Sequence, residues 1–358
     1  MDTIKQFLKT FLASMFTLLP VWVSEKLVRR EVIAFYYHAV SDEPMPHVKH
    51  LYPAATVRRF ENDLRYLKRA FSPVSYADVH AHIVDGASLP RRAVHLTFDD
   101  GFRECFSVVR PLLLKYKIPC TFFVTTDWID NQGIFYRNLV SLCIEGFQEL
   151  GQDARRMYLT SLNHALDLAL IKAEQYVSWI KSRTHADGDV IQLAAKMLGI
   201  DVSAYLQSNP IYLTREQILQ MHAEGFTIGA HTRAHPKLSR VPKDVMEAEI
   251  LESVRVVQEL TGDGVVPFSF PFSAGGVERK ELAEIRKRND NLGLLFDTMG
   301  IQPDERFIVN RIWGERATPR MGKNSAALPG LVRAAYGTQI MKDILGRAKG
   351  DGNEVEEI

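Results

Sequence analysis

Ala93-Val94-His95-Leu96-Thr97-Phe98-Asp99-Asp100-Gly101 is an apolar, β-branched and aromatic run that stops abruptly at two acids and a glycine. That is the pattern of a buried strand running into a turn. Adjacent strand side chains point to opposite faces, so both acids enter one site only if the backbone turns there, and Gly101 permits the turn. Asp-Asp-Gly is also an ordinary surface turn, so the run by itself leaves both readings open.

Far downstream the layout repeats. Phe226-Thr227-Ile228-Gly229-Ala230 reads as a second short apolar strand and ends directly in His231-Thr232-Arg233-Ala234-His235. On one helical turn a spacing of four brings both imidazoles to one face, as a tetrahedral metal requires. A surface turn with two titrating histidines is the plainer alternative. Taken together, the two runs supply one carboxylate and two imidazoles for a metal, with a second carboxylate to spare, which is the equipment of a hydrolase.

The rest of the chain places these runs in an alternating pattern. Helical periodicity is expected over 56–70, 77–84, 106–116, 242–260 and 278–288, and strands over 120–125 and 294–298, with 74–76 extended. Repeated strand and helix favour an α/β barrel or a wound sheet. Between 127 and 214 the alternation breaks: 137–147, 154–181 and 190–198 all carry helical patterns without an intervening strand. A helical insertion leaving the C-terminal end of a strand lies on the rim where barrel sites form.

The two motifs, T-F-D-D-G and H-T-x-x-H, resemble those of the polysaccharide deacetylase family, the NodB-like carbohydrate esterase family 4. The resemblance implies a deformed (β/α) barrel of the NodB-homology type and one divalent metal ion, usually Zn2+. By motif position Asp100, His231 and His235 would be its ligands and Asp99 the general base. It also implies an N-acetylated saccharide as substrate. The third motif is expected in Pro267-Phe268-Ser269-Phe270-Pro271-Phe272-Ser273, a buried strand in which the Phe272 N–H would face the oxyanion. A plain core strand with aromatics is the alternative.

Two departures from the family pattern stand out. The arginine expected just before the Pro-Phe element is absent, the stretch carrying Ser269 instead, and Arg311 in a late strand is expected to orient Asp99 in its place. No histidine follows His235, so the family's C-terminal general acid is missing. His38, at the end of Val32-Ile33-Ala34-Phe35-Tyr36-Tyr37, is expected to take that role, as in the circularly permuted branch that includes poly-N-acetylglucosamine deacetylases. A satisfied core histidine is the alternative reading of His38. In the insertion Trp128, Phe135, Tyr136 and Arg137 are candidates for sugar contact or for packing.

Composition sets looser bounds. The 358 residues, 46% hydrophobic, suffice for one large core with additions. Forty-four basic against 43 acidic residues, a formal charge of +1, argue against a nucleic-acid surface. The expected organisation is an N-terminal apolar helix over 1–30, a catalytic domain over 31–315 with its insertion at about 128–213, and a C-terminal helix and acidic tail over 316–358. The apolar run 10–24 is short for a spanning helix and lacks a signal-type cleavage site. Peripheral membrane contact through 6–24, or cover for the barrel, is expected, in a cytoplasmic or membrane-associated rather than secreted protein. Three cysteines, an odd number, suggest no disulfide framework.

The function expected is metal-dependent N-deacetylation in an envelope polysaccharide or its precursor. A C–N hydrolase acting on a non-carbohydrate amide, and an inactive barrel serving polysaccharide binding or assembly, are the alternatives.

Overall fold

The computed structural model describes Phe16, Leu19 and residues 21–316 and 327–350. The start of the N-terminal apolar run and the acidic tail lie outside the described residues. Strands β1 (Val32–Tyr37), β2 (Ser72–Pro73), β3 (Ala93–Phe98), β4 (Cys120–Val124), β5 (Thr227–Ala230), β6 (Val266–Ser269), β7 (Leu292–Asp297) and β8 (Ile308–Trp313) form one sheet. All its pairings are parallel. The order runs β1-β8-β7-β6-β5-β4-β3, and β1 pairs with β3 to close the ring; the two-residue β2 lies against the N-terminal end of β3. The result is the expected deformed (β/α) barrel, with seven strands in the closed ring.

Period-two alternation decides what enters the barrel. In β3, Val94, Leu96 and Phe98 face outward to the main core beneath the helices, and Ala93 joins Ala34, Phe123, Leu294, Phe296 and Val309 inside. His95 and Thr97 therefore also point inward, and Asp99 continues the series. His95 is fully buried and bonded to the Val74 carbonyl and the Thr121 hydroxyl; burial, above all, lowers its pKa to about 4 and keeps it neutral. Gly229 of β5 is a spacing requirement, because a Cβ there would overlap the Phe123 ring that fills the barrel.

The outer helices follow the expected periodicity with shifted ends. The helix Val57–Ala70 is capped by Thr56, whose hydroxyl accepts from the Arg59 N–H. After the first motif, the single expected helix is a π-helical turn, Cys105–Val109, followed by Arg110–Tyr116. Between β4 and β5 stand Tyr136–Glu149, Gln152–Leu166, Ala173–Lys181, Gly188–Met197 and Val202–Ser208. The expected unbroken helix at 154–181 is thus two helices, stopped at Asp167, which adopts φ 51°. These helices bury a core of their own around Phe147, Tyr158 and Tyr176.

At the chain's ends Val21–Val28 packs beside the long helix Leu328–Gly350. Among the described residues no helix is long and apolar enough to cross a membrane. Cys105, Cys120 and Cys143 are buried and unpaired.

Candidate active site

Every loop that carries a candidate residue leaves the C-terminal end of a barrel strand, the end at which barrels build sites. The first motif turns as its two acids demand: Asp99 continues inward, while Asp100 and Gly101 adopt φ 71° and 68° and carry the chain sideways. Two successive left-handed residues are affordable only for Gly and for short polar side chains. Asp100 Oδ1 then stands 3.4 Å from His231 Nε2 and 3.2 Å from His235 Nε2.

The helical turn expected to join the two histidines is not there. The chain from His231 to His235 is irregular, with Thr232 at φ 63° and His235 at φ 59°. The Thr232 hydroxyl holds the loop by accepting from the His235 N–H at 3.0 Å. The i, i+4 spacing converges the rings through a loop kink, so the result matches the expectation although the geometry does not.

These residues fit a metal ion. Asp100, His231 and His235 are buried, and one ligand atom from each lies within 4.8 Å of the others. A tetrahedral ion with bonds of ~2.1 Å spaces its ligand atoms about 3.4 Å apart, close to the separations found. Asp100 Oδ1 is buried without a hydrogen-bond partner, which is costly unless something else satisfies it. His231 Nδ1 donates to the Ser269 carbonyl at 2.8 Å, leaving the Nε2 lone pair directed at the cluster. The His235 ring is held by Phe135 at 4.4 Å and Phe272 at 5.0 Å between centroids.

Asp99 belongs to a different network. Arg311, fully buried, reaches it through two bonds, Nη1 to Oδ1 at 2.7 Å and Nη2 to Oδ2 at 2.8 Å. The same guanidinium donates to the Thr97 hydroxyl at 2.8 Å and to the Ser269 hydroxyl at 2.7 Å. Its register explains the reach: Ala34 pairs with Arg311, so β8 delivers the side chain into the barrel beneath Asp99. Burial alone would raise the Asp99 pKa, but the neighbouring cations, Arg311 foremost, together outweigh it and hold the carboxyl below its usual range. Asp99 is therefore ionised.

His38, at the end of β1, faces the same cavity. Its Nδ1–H donates to Glu315 Oε2 at 2.7 Å, and Glu315 Oε1 accepts the backbone N–H groups of His38 and Ala39 at 2.9 and 2.7 Å. The Trp313 indole donates to the same carboxylate at 3.0 Å. Burial would lower the His38 pKa, but the Glu315 carboxylate raises it to about 9. Tyr52 lies against the His38 ring at 4.7 Å. Glu315 escaped the reading of the sequence. Its only sign there is an acid two residues beyond a strand, after Gly314, which has no room for a Cβ against the Tyr37 ring.

A cavity of about 150 Å³ joins these groups, lined by His38, Asp99, Asp100, His231, His235, Phe272, Thr298 and Trp313 among others. The expected strand of the third motif is shorter than its apolar run, β6 ending at Ser269. Beyond it Phe272 adopts φ 62°, and among the described residues its N–H has no acceptor. Of the aromatic candidates, Phe135 and Arg137 line the cavity, Tyr136 lines the neighbouring groove, and Trp128 is buried behind His235 as packing.

Fold and site together define a (β/α) barrel with a buried Asp-His-His cluster at the C-terminal end of its strands. The sequence profile of the polysaccharide deacetylase family matches residues 86–289, more than half of the chain, and the chain belongs to that family. A stretch of 100 residues is 27% identical to the poly-beta-1,6-N-acetyl-D-glucosamine N-deacetylase of Escherichia coli (strain K12), covering 28% of this chain and 14% of that protein. The chain therefore spans a small part of that relative's length. The chitooligosaccharide deacetylase of Rhizobium leguminosarum bv. phaseoli is 24% identical over 189 residues, 51% of this chain and 72% of the relative. Among solved structures, IcaB from Ammonifex degensii superposes with a TM-score of 0.52 at 16% identity, over 86% of this chain and 97% of that one. The Streptococcus pyogenes deacetylase PplD in complex with acetate gives 0.51 at 16% identity, over 82% and 95%. Both share the fold.

Proposed function

We propose that this protein is a metal-dependent N-deacetylase that hydrolyses the acetamide of an N-acetylated sugar in an envelope polysaccharide or its precursor. The observation that carries the reading is the Asp99 carboxylate, held by Arg311 beside the Asp100-His231-His235 cluster and separate from it. A purely structural metal site has no use for a second, independently anchored carboxylate.

A divalent ion held by Asp100, His231 and His235, most simply Zn2+, would polarise the acetamide carbonyl and acidify a water molecule. Asp99 accepts the proton of the attacking water, its charge kept available by Arg311. The Phe272 N–H donates to the carbonyl oxygen as it becomes an oxyanion. His38, protonated and oriented by Glu315, delivers a proton to the departing amine nitrogen. Separate environments thus tune the acid and the base.

The direct test follows acetate released from N-acetylglucosamine oligomers by the metal-loaded protein. Release is expected to stop on removal of the ion by a chelator and to return when Zn2+ is added. Stoichiometric bound metal with no acetate from any N-acetylated sugar would move the reading to another amide or to a binding role.

His38→Asn is expected to lower kcat by roughly 10²- to 10⁴-fold, the usual worth of a general acid. A rate equal to the parent's would remove His38 from the mechanism. Glu315→Gln has a distinct signature. Activity requires protonated His38 and falls as pH rises through its pKa. Since Glu315 raises that pKa, its loss is expected to move the alkaline limb of the pH–rate profile to lower pH. An unmoved limb would show that the pair does not govern proton delivery.

A further inference from the structure

Beside the deacetylation cavity lies a larger groove, about 500 Å³ in volume, walled by two segments distant in sequence. One is the end of the helix Ala173–Lys181 with the turn after it; the other is the loop directly following His235. Its charge is of one sign. Arg137, Lys181, Arg183, His185, Lys237 and Arg240 line it, and no Asp or Glu does.

Among the described residues the only ion pair made by any of these six is that of Arg183 with Asp187, at 3.4 Å. Elsewhere on this surface cations are commonly answered, as Arg233 is by Asp127 and Glu252. In a chain of net charge +1, such segregation does not come from an excess of base. Like charges gathered in a concave site repel one another and attract an anion.

The groove is continuous with the reacting centre. Phe272 and Arg137 line both spaces. The Arg137 guanidinium lies 5.0 Å over the Phe272 ring, and that ring lies 5.0 Å from the His235 ring. A group seated among Lys237, Arg240 and Lys181 would therefore adjoin a substrate whose acetamide enters the smaller cavity. At this volume the groove holds a sugar-sized unit with a charged substituent. Arg137, Lys181, Lys237 and Arg240, the four lysines and arginines of the groove without an ion pair among the described residues, exceed what one carboxylate neutralises and suit a phosphoryl group, which arginine grips bidentately and lysine as a point charge.

We infer that this groove is a phosphate subsite and that the substrate is a phosphorylated N-acetylated saccharide, an activated or lipid-linked precursor rather than a neutral polymer. The inference rests on the deacetylase reading and names its substrate class.

Calorimetric titration of the metal-loaded protein with N-acetylglucosamine 1-phosphate tests it without relying on turnover. Saturable binding is expected to weaken at least tenfold in Lys237→Ala/Arg240→Ala, and again in Lys181→Ala on the opposite wall. These side chains are exposed, and matching melting curves will show that the variants fold. Sedimentation with phosphatidylglycerol vesicles separates the two sources of phosphate. Variant-sensitive sedimentation assigns it to a lipid headgroup, and binding of the soluble sugar phosphate alone assigns it to the free sugar.

Three results would overturn the inference: no saturable binding of either probe, binding unchanged in the variants, or glucuronate binding as tightly as the sugar phosphate. The two readings fail separately. Acetate from neutral oligomers without phosphate binding sinks the subsite alone, and variant-sensitive phosphate binding without acetate from any substrate sinks the deacetylase reading alone.

Discussion

Asp99→Asn is expected to reduce acetate release about 10³-fold, within the range found for loss of a general base, while metal binding stays at its parental level. The asparagine keeps the shape and one acceptor oxygen but can no longer take a proton from water. Asp100, His231 and His235 would hold the ion without Asp99, so metal content measured on the purified variant should not change. The substitution also leaves Arg311 buried without its counter-charge, and the melting temperature should fall. Acetate release per bound ion is the deciding ratio; if it equals the parent's, the base is another group.

Arg311→Ala is the second large effect, and it divides between stability and catalysis. Removing one partner of a buried, doubly bonded ion pair costs roughly 3–5 kcal/mol, because the other charge is left uncompensated. Among the described residues the Asp99 carboxylate would keep only its weak 3.4 Å contact with the Ser269 hydroxyl. Denaturant unfolding reads the first part. The second follows from the sign of the Asp99 shift. Arg311 holds the carboxyl ionised against its burial, so without the guanidinium its pKa rises. Activity requires the ionised form, which exists above the pKa, and the acid limb of the pH–rate profile should therefore move to higher pH. A merely structural role for Arg311 would lower stability and leave that limb in place. Arg311→Lys restores the charge but not the two-pronged grip, and should recover the limb better than the rate.

The alternation of strands and helices was legible because burial and periodicity are local properties, and it left a barrel and a wound sheet both open until the resemblance of the two motifs decided for the barrel. His95, Thr97 and Asp99 read as one inward series once β3 is recognised, whereas Arg311 was singled out through the family resemblance, as a stand-in for a missing arginine. Less legible was whatever depends on backbone exceptions. Asp100, Thr232, His235 and Phe272 all adopt positive φ, and no spacing rule announces that for a threonine, histidine or phenylalanine. The His231–His235 convergence was accordingly expected from a helical turn and is made by a kinked loop. Glu315 went unread because an acid after a strand normally means a solvated turn; only the pairing of β8 with β1 sets it under His38. The cationic groove was hidden for a similar reason, since its walls, near residues 181–186 and 236–241, meet only in the folded protein.

The ring of strands closes between its earliest and latest members, β1 pairing with both β3 and β8. Each half of the proposed proton machinery spans that closure: His38 waits for Glu315, and Asp99 for Arg311. On the ribosome, where domains assemble from the N-terminal side as they emerge, the first motif is made some 200 residues before its arginine. Until β8 docks, Asp99 is a carboxylate in an unfinished barrel and His38 has no anion to keep it charged. Contacts this distant in sequence form late and slowly. Competence should therefore arrive in one step with the last strand, and a nascent chain stalled before Ile308 should carry both signature motifs and yet be inert.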